Sequence, residues 1–474
     1  MADKIKFGTS GWRGILAEDF TFERVRLVTQ AIADYLNQAG GDRPKRMVVG
    51  YDTRFLGSRF AEAVASVLAG NGIETVRSIS PVPTPVISFE ILRRKLSGGI
   101  IVTASHNPSE WNGLKFSPAW GGPALPETTV QIENRANFLL ERPAPIRRRL
   151  FSEAAPEGLW KEEEIGGAYR DQVSRFLDDA AFRRNPLKVT VDLFWGTALG
   201  YLDTLLEEKG VSVDLIHAER DPSFGGVRPD PEGEGLDDLR RAVKEGGSDL
   251  GLGTDCDADR FGVLDRGGIA VPPNYIIALL VDYLVSDRKM EGKVARSVAT
   301  SHLVDAVAKY HHLEVVETPV GFKYIGELIA QDALLLGGEE SGGISVRGHL
   351  PEKDGILTSL LVAEMVAKRR RTLREMLDAL FQRVGSFYPK RLDLPLTEEG
   401  REKLTAGLKR PPSSIAGKKV LSVSRLDGVK LLLEGGGWVL ARPSGTEPVA
   451  RIYAEAESEE ETRRFIEAFR EWIA

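Results

Sequence analysis

The first of four loops with residues suited to phosphate and metal chemistry spans residues 103–108. It follows the apolar run 99–103, which predicts a strand covered on both faces. The Asn-Pro pair in the loop disfavours a helix, so we expect Ser105 on a tight turn at the end of that strand, with His106 beside it. Lys115 lies shortly downstream and offers a cation to the same crevice. A plain Ser/Asn turn is the alternative.

The second loop places Asp255, Asp257 and Asp259 at alternate positions. On an extended chain such side chains point to the same side, and three adjacent carboxylates repel one another unless a cation lies between them. Oxygen ligands of this kind favour Mg²⁺. The glycine and the later glutamate of an EF-hand calcium loop are missing, so an acidic surface turn is the alternative. We expect Cys256 to face away from the metal, and Arg260 either contacts a phosphate or offsets the carboxylates.

The third and fourth loops offer groups for a sugar and for an anion. Residues 337–343 combine glycines with Glu339 and Ser341, whose oxygens suit vicinal hydroxyl groups. The fourth loop, residues 442–448, surrounds a glycine with an arginine and two hydroxyl residues, which suits a phosphate better than an ordinary hairpin. Its candidate ligands are Arg442, Ser444, Gly445 and Thr446.

A repeated alternation of strand and helix patterns must position these loops. The first helix is predicted at 22–36, where Val25, Val28, Ile32 and Leu36 share one face. The alternation recurs twice, and after residue 387 it gives way to consecutive short strands and a final helix. This order predicts three similar α/β domains with mixed sheets and a C-terminal α+β domain. The predicted domains span 1–150, 160–266, 267–380 and 388–474, with a surface linker at 141–149.

The composition narrows the class of protein. The chain has 474 residues, of which 42% are hydrophobic and 28% charged, as in soluble globular proteins and unlike disordered or collagen-like chains. No apolar run approaches the roughly 18 residues of a membrane span, and the first residues lack the apolar core of a signal peptide. One cysteine favours a reducing cytoplasm, and a net charge of -6 gives no overall attraction to nucleic acid. We expect a cytoplasmic monomer or homodimer without nucleic-acid or membrane partners.

The four loops together predict phosphoryl transfer on a sugar phosphate. The chain contains no Walker-type lysine loop and no protein-kinase motif set, so nothing indicates ATP as the donor. The serine of the first loop is therefore itself a candidate carrier of the phosphoryl group. In their order along the chain the loops resemble the α-D-phosphohexomutase superfamily, the phosphoglucomutase/phosphomannomutase family. Residues 7–14, 50–54 and 318–321 also match, so the resemblance spans nearly the whole chain and implies four domains around a central cleft.

The resemblance implies a role for each loop. Ser105 would be phosphorylated, and Mg²⁺ would be held by Asp255, Asp257, Asp259 and a phosphoserine oxygen. The implied catalytic groups are Ser105, His106, Lys115 and Arg13. The implied substrate-binding residues are Arg260, Thr318, Gly321, Glu339, Ser341, His349 and Lys353. The implied phosphate-binding residues are Arg442, Ser444, Gly445 and Thr446.

The implied reaction moves phosphate between C1 and C6 of a hexose, with hexose 1,6-bisphosphate as intermediate and activator. Glu340 follows Glu339, and His349 and Lys353 stand in a Glu-Lys-Asp-Gly context, as in the phosphoglucomutase branch. These features favour glucose, with mannose as the second sugar. The alternatives are a phosphoglucosamine mutase, a sugar-phosphate-binding protein without turnover, and a phosphatase that uses the same serine.

Overall fold

The computed structural model describes residues 4–8, 10–38, 44–395, 397, 402, 404, 407–443 and 449–473. Two compact units divide the chain. The first comprises Met1–Val271, Ile325–Ala333 and Ser341–Leu373, and the second comprises Pro272–Tyr324, Leu334–Glu340 and Arg374–Ala474. In the described part of the chain, every helix is too short or too polar to span a membrane.

A seven-stranded sheet opens the first unit. Its strands are β1 (Phe7–Gly8), β2 (Gly11–Ile15), β3 (Arg46–Tyr51), β4 (Glu74–Ser78), β5 (Gly98–Val102), β6 (Trp111–Pro118) and β7 (Trp160–Glu163), and the helices around it are α1 (Phe22–Gln38), α2 (Gly57–Gly70), α3 (Thr84–Arg94), α4 (Pro126–Glu141) and α5 (Phe151–Ala154). The strand order is β1-β2-β6-β5-β3-β4-β7. Strands β3, β4, β5 and β7 run parallel, whereas β6 is antiparallel to β5. The fully buried β5 confirms the strand predicted before Ser105.

A second sheet in the first unit carries the aspartate loop. Its strands are β8 (Lys188–Asp192), β9 (Ser212–Ile216), β10 (Leu250–Thr254), β11 (Phe261–Asp265) and β12 (Ile269–Ala270), and the neighbouring helices are α6 (Gly167–Phe176), α7 (Asp179–Arg184), α8 (Leu202–Glu208) and α9 (Asp237–Gly246). The order is β12-β11-β10-β8-β9. Because β10 is parallel to β8 and antiparallel to β11, the aspartates occupy the connection at the carboxyl end of β10.

The third group of elements contributes to both units. Its strands are β13 (Lys293–Ser297), β14 (Val315–Thr318), β15 (Leu334–Glu339) and β16 (Gly343–Val346), and its helices are α10 (Pro273–Ser286), α11 (Leu303–Tyr310), α12 (Phe322–Ala330), α13 (Gly355–Arg369) and α14 (Leu373–Val384). Strand β13 pairs in parallel with β14 and with β15, all within the second unit. Strand β16 and helix α13 belong to the first unit, where α13 contacts β10 and β11.

An antiparallel sheet completes the second unit. It consists of β17 (Lys390–Pro395), β18 (Ser414–Ile415), β19 (Lys418–Ser424), β20 (Val429–Leu433), β21 (Trp438–Pro443) and β22 (Val449–Glu455), with α15 (Glu459–Ile473) packed against it. The order is β17-β22-β21-β20-β19-β18. The α15 residues Phe465 and Phe469 join Leu431, Val439 and Ile452 in an apolar core, so the apolar stripe of this amphipathic helix covers one face of the sheet.

The observed sheets confirm the predicted fold class, three α/β domains with mixed sheets and a C-terminal domain with an antiparallel sheet. The predicted domain boundaries remain predictions. One of them began the second domain at residue 160, whereas β7 starts there and pairs with β4 of the first sheet, Thr75 opposite Trp160. Segment 143–150 has no regular secondary structure and leads through α5 to β7 of the first sheet.

Candidate active site

Ser105 lies on a turn between β5 and β6, as the sequence predicts. Its φ of +53° is in the left-handed region, which non-glycine residues rarely adopt. The hydroxyl donates a hydrogen bond of 2.5 Å to Asp255 Oδ2 and lies 3.3 Å from His106 Nδ1. The turn thus aims a buried serine hydroxyl at the aspartate loop of the second sheet.

Arg54 holds this turn in place, and sequence reasoning did not assign it a role. The guanidinium is buried and donates to the backbone carbonyls of the turn and of the following segment. These are the carbonyls of Ser105 (2.6 Å), Asn107 (2.6 Å), Pro108 (2.7 Å) and Trp111 (3.0 Å). Asp52 pairs with its Nε at 3.2 Å, and the ring of Phe224 lies 4.9 Å from its Cζ. The only signal in the sequence was the matching segment 50–54.

Asp255, Asp257 and Asp259 form a buried group that we call the aspartate cluster. Each offers one carboxylate oxygen, and these oxygens lie within 4.8 Å of one another. The Oδ1 atoms of Asp257 and Asp259 are buried and have no hydrogen-bond partner. Buried polar atoms are nearly always paired, so two unpaired carboxylate oxygens in a cluster of three close carboxylates fit a hard divalent cation such as Mg²⁺.

Two lysines contact the aspartate cluster from separate elements. Lys115 on β6 donates to Asp257 Oδ2 at 2.5 Å and to Asp259 Oδ2 at 2.7 Å. Lys353, just before α13, also pairs with Asp259. The prediction that Lys115 reaches the crevice of the serine loop is therefore supported by its position, and Lys353 joins it there.

The carboxylates of the aspartate cluster differ in the direction of their pKa shifts. Burial, together with Asp257 and Asp259, raises the pKa of Asp255 well above its usual value. Burial and Asp259 act in the same direction on Asp257, but Lys115 outweighs them and lowers the pKa of Asp257. Burial disfavours the charge of Lys115, yet the two aspartates more than offset it and raise its pKa. Lys115 is therefore held as a cation, and Asp255, which faces Ser105, has most to gain from an added positive charge.

Further basic groups surround the serine. Burial and the neighbouring Arg260 and Arg13 lower the pKa of His106 well below its usual value, so its imidazole is neutral at neutral pH. Arg13 donates to the side chain of Asn107. Burial alone would lower the pKa of Arg260, but Asp230 and Asp255 raise it. The structure thus brings together most of the first-unit residues that the resemblance assigns. Among them, His106 is a neutral base beside the serine.

Cys256 faces away from the aspartate cluster, as predicted, although for another reason. Its Sγ lies 3.3 Å from Asp52 Oδ2, and the side chain packs with Trp195 and Phe224. The loop is a tight turn rather than the expected extended chain, since Ala258 has a φ of +56°. Backbone turning, and not strand alternation, separates the cysteine from its neighbours.

The predicted sugar and phosphate residues of the second unit are connected through backbone amides. Glu339 is buried, and its Oε1 accepts a hydrogen bond of 2.6 Å from Gly321 N. Asp427 Oδ2 accepts from Val320 N at 3.0 Å and from Arg442 Nε at 2.8 Å. Asp427, which sequence reasoning missed, therefore ties Arg442 to the segment that includes Gly321.

The remaining predicted residues divide into four cases. Thr318 ends β14 and is buried in the second unit. Ser341 belongs to the first unit, at the turn before β16. Ser444, Gly445 and Thr446 lie outside the described residues. The side chain of His349 is buried and bonded to Asp354 at 2.7 Å, and its assignment to substrate binding stays a prediction.

Four family models match successive parts of the chain. They are described as phosphoglucomutase/phosphomannomutase alpha/beta/alpha domain I (residues 4–141), domain II (168–268), domain III (272–384) and C-terminal domain (412–471). Together they cover most of its length.

Named relatives match over nearly their whole length. The chain is 31% identical to a phosphoglucomutase/phosphomannomutase of Thermococcus kodakarensis, with 97% of this chain and 96% of the relative covered. It is 32% identical to a probable phosphoglucosamine mutase of Methanopyrus kandleri, with 98% and 96% covered. Among solved structures, a putative phosphomannomutase from Thermus thermophilus is 34% identical, covers 100% of both chains and superposes with a TM-score of 0.85.

Proposed function

This chain belongs to the phosphoglucomutase/phosphomannomutase family, whose members are isomerases, and on that premise we propose that it moves a phosphoryl group between C1 and C6 of a hexose phosphate. Phosphorylated Ser105 is the carrier, and a hexose 1,6-bisphosphate is the intermediate. The observation that carries the proposal is the buried Ser105 hydroxyl, which is bonded to Asp255 and lies beside the neutral His106.

Each half-reaction exchanges one phosphorus–oxygen bond for another. In the first, a free hydroxyl oxygen of the bound hexose monophosphate attacks the phosphorus on Ser105. The new bond joins that phosphorus to the sugar oxygen, the bond to Ser105 Oγ breaks, and the serine oxygen takes up the proton that the sugar hydroxyl gives up. In the second, Ser105 Oγ attacks the other phosphoryl group of the turned bisphosphate, the bond from that phosphorus to the sugar oxygen breaks, and this oxygen takes up the proton of the serine.

The side chains around Ser105 divide the remaining tasks. His106 Nδ1, 3.3 Å from Ser105 Oγ, is the group placed to exchange a proton with the serine. Arg13, Arg260, Lys115 and Lys353 remain cations and offset the charge on the transferring phosphoryl group. Arg13, Lys115 and Lys353 are each held by a partner on another element, which limits the reorganisation that the transfer needs.

The unpaired oxygens of Asp257 and Asp259 support a Mg²⁺ site in the aspartate cluster, completed by Asp255 and an oxygen on Ser105. When bound, Mg²⁺ supplies Lewis-acid stabilisation of phosphoryl charge. Thr84 supports this geometry, because its hydroxyl donates to Asp257 Oδ2 at 2.5 Å and fixes the orientation of that carboxylate.

Glucose phosphates are the proposed substrates, with mannose phosphates second. The support is the Glu-Lys-Asp-Gly segment around Lys353, together with Glu339, which presents a fixed carboxylate beside Gly321. Glu339, Ser341 and Thr318 are the proposed contacts to the sugar, and Arg442 is the proposed contact to the distal phosphate. A phosphoglucosamine mutase is the second candidate, because relatives of that name match with equal identity. We place the enzyme in the cytoplasm on account of its single, buried cysteine.

The test measures turnover of glucose, mannose and glucosamine 1-phosphates side by side. A coupled assay follows the hexose 6-phosphate, and a second assay follows release of inorganic phosphate. We expect hexose 6-phosphate without stoichiometric phosphate release, fastest with glucose 1-phosphate. Phosphate release alone would indicate a phosphatase, and tight binding without turnover would indicate a binding protein. Preference for glucosamine 1-phosphate would favour the second candidate.

A further inference from the structure

Three side chains meet in the first unit, away from the serine. Asp354 Oδ2 accepts hydrogen bonds from Tyr169 Oη and from His349 Nε2, each 2.7 Å long. All three side chains are buried. Burial and the neighbouring Asp354 raise the pKa of Tyr169 well above its usual value, so the hydroxyl stays protonated and donates. We call these residues the Asp354 triad.

Asp354 has a second task at the start of α13. Its Oδ1 caps the helix by accepting from Leu357 N at 2.9 Å. Tyr169 and His349 occupy its other oxygen, so both carboxylate oxygens have fixed partners. The rotamer of Asp354, and with it the backbone at the start of α13, is therefore set by contacts from α6 and from the segment after β16.

The start of α13 touches the aspartate loop directly. Gly355 N donates to Ala258 O at 3.1 Å, in the turn between Asp257 and Asp259. A Cβ at Gly355 would lie 2.1 Å from Arg260 O, so the approach is as close as the backbone permits. On the other side of Asp354, Lys353 pairs with Asp259. Two contacts to the aspartate cluster thus flank the residue that the triad fixes.

We propose that Tyr169 and His349 are positioning residues for the aspartate cluster, acting through Asp354 on Lys353 and on the turn at Ala258. The inference rests on the proposed function, since it concerns the metal site of that same enzyme. Partners that orient metal-ligating groups typically contribute 10–100-fold to metal affinity or activity. This role for His349 differs from the substrate contact that the resemblance implies.

A cavity gives this inference an independent test. The cavity has a volume of about 500 Å³ and is lined by Phe89 and Leu92 of α3, Gln172 and Arg175 of α6, and His349 itself. His349 Nδ1, on the ring edge opposite Asp354, has no hydrogen-bond partner. Shortening His349 to alanine would therefore open an imidazole-sized space next to an existing cavity, through which free imidazole can reach Asp354.

The experiment measures Mn²⁺ binding by electron paramagnetic resonance, so it needs no turnover. The variants are His349→Ala, Tyr169→Phe and the control His311→Ala. His311 is likewise a buried histidine bonded to an aspartate, Asp282 at 2.9 Å, but it lies in the second unit. Melting temperatures of all variants show how much each substitution destabilises the fold.

We expect His349→Ala to weaken Mn²⁺ binding 10–100-fold, Tyr169→Phe to weaken it less, and His311→Ala to leave it unchanged. Added imidazole should restore binding in His349→Ala and not in Tyr169→Phe. Wild-type Mn²⁺ affinity in both triad variants, or an equal loss in His311→Ala, would overturn the inference. If His349→Ala does not fold, the Mn²⁺ affinity of Tyr169→Phe decides the inference, since this substitution removes only the hydroxyl that donates to Asp354. Wild-type protein that binds Mn²⁺ without mutase turnover would count against the proposed function alone.

Discussion

Two groups of charges, one in each unit, are each built around a buried lysine and differ in their hydrogen bonding. The first is the aspartate cluster with Lys115. The second, which we call the Lys430 cluster, consists of Lys430 on β20 with Glu317 and His302. Lys430 Nζ bonds to Val298 O at 2.9 Å, to His302 Nε2 at 2.9 Å and to Glu317 Oε1 at 3.1 Å.

The pKa values of the two buried lysines shift in opposite directions. Burial disfavours the charge of both, but Lys115 faces two carboxylates, which raise its pKa. Lys430 bonds to the carboxylate of Glu317, but burial and the nearby Arg296 prevail over the attraction of Glu317 and Asp305 and lower its pKa to about 8. The balance of burial against nearby charges of both signs therefore decides the direction of the shift.

The two groups also differ in whether their buried polar atoms have hydrogen-bond partners. Asp257 and Asp259 each keep a buried oxygen without a partner, whereas within the described residues no buried side-chain atom of Lys430, Glu317 or His302 is unpaired. Burying charge is costly unless it is satisfied. We infer that unpaired buried acceptors within a cluster of carboxylates mark a ligand site, in contrast to the paired groups around Lys430.

The largest expected effect is a loss of mutase turnover when the serine beside the aspartate cluster is replaced. Ser105→Ala removes the proposed carrier and should lower mutase turnover by at least about 10³-fold. Ser301→Ala is the matched control, because Ser301 is also buried and also donates to a carboxylate, that of Glu455 in the second unit. Its turnover should stay close to that of the wild type. Intact-mass spectrometry should find a phosphate on wild type and on Ser301→Ala, but none on Ser105→Ala. Near-normal turnover of Ser105→Ala would show that Ser105 is not the carrier of the phosphoryl group.

The next effect tests the unpaired oxygens themselves. Asp257→Asn should weaken Mg²⁺ binding, measured by calorimetry, by about 100-fold or more, since a direct ligand should exceed the effect of an outer partner. Cys256→Ser, one residue away, should bind Mg²⁺ as the wild type does, because its side chain points to Asp52. A large loss in Cys256→Ser would show that the loop is not arranged as in this structure.

A smaller effect concerns a second-unit residue outside the Lys430 cluster. Arg442→Ala removes a charge-assisted contact to the distal phosphate worth about 1.5–3 kcal/mol, so kcat/KM should fall roughly 10–100-fold. Phosphorylation of Ser105 should persist. Arg425→Ala is the control, since Arg425 lies in the same unit and, among the residues that the structure describes, donates to the carbonyls of Leu408 and Lys409. Unchanged kcat and KM in Arg442→Ala would mean that the distal phosphate is bound elsewhere.

The sequence predicted local features well because each depends on a few adjacent residues. The buried run before Ser105 and the Asn-Pro pair after it were enough to place the serine on a turn. The clustering of Asp255, Asp257 and Asp259 was predicted from their spacing, although a tight turn and not an extended chain brings them together. The fold class followed from the alternation of strand and helix patterns.

Contacts between distant segments could not be predicted in this way. Arg54 binds carbonyls some 50 residues downstream, and nothing in its own segment indicates this. His349 has the residue type of a ligand, but only packing shows that Asp354 and Tyr169 enclose it. Lys430 occupies the strand position where an exposed side chain is expected, and it is buried against Trp438, whose ring centroid is 4.3 Å from Nζ.

The smallest expected effect on turnover comes from Lys430 itself. Lys430→Met should leave mutase turnover nearly unchanged, since the Lys430 cluster offers no unpaired group to a ligand. The variant should instead change how stability depends on pH. The folded-state pKa of Lys430 is about 8, below the ordinary 10.5 that the unfolded chain keeps. Between these values the unfolded state binds more protons than the folded state.

It follows that Lys430 makes the wild-type free energy of unfolding rise with pH from 8 to 10.5, by at most about 1.4 kcal/mol per pH unit. Below pH 8 its contribution is constant. The measurement is urea unfolding of wild type and Lys430→Met at several pH values. The free energy of unfolding of the wild type minus that of the variant should increase from pH 8 to 10.5. Lys430→Met also leaves His302 and Val298 O without their donor, which sets the value of this difference at pH 7 and does not affect the expected increase. A difference that is flat from pH 8 to 10.5 would mean that Lys430 keeps its ordinary pKa, and that the two buried lysines do not differ in the way described.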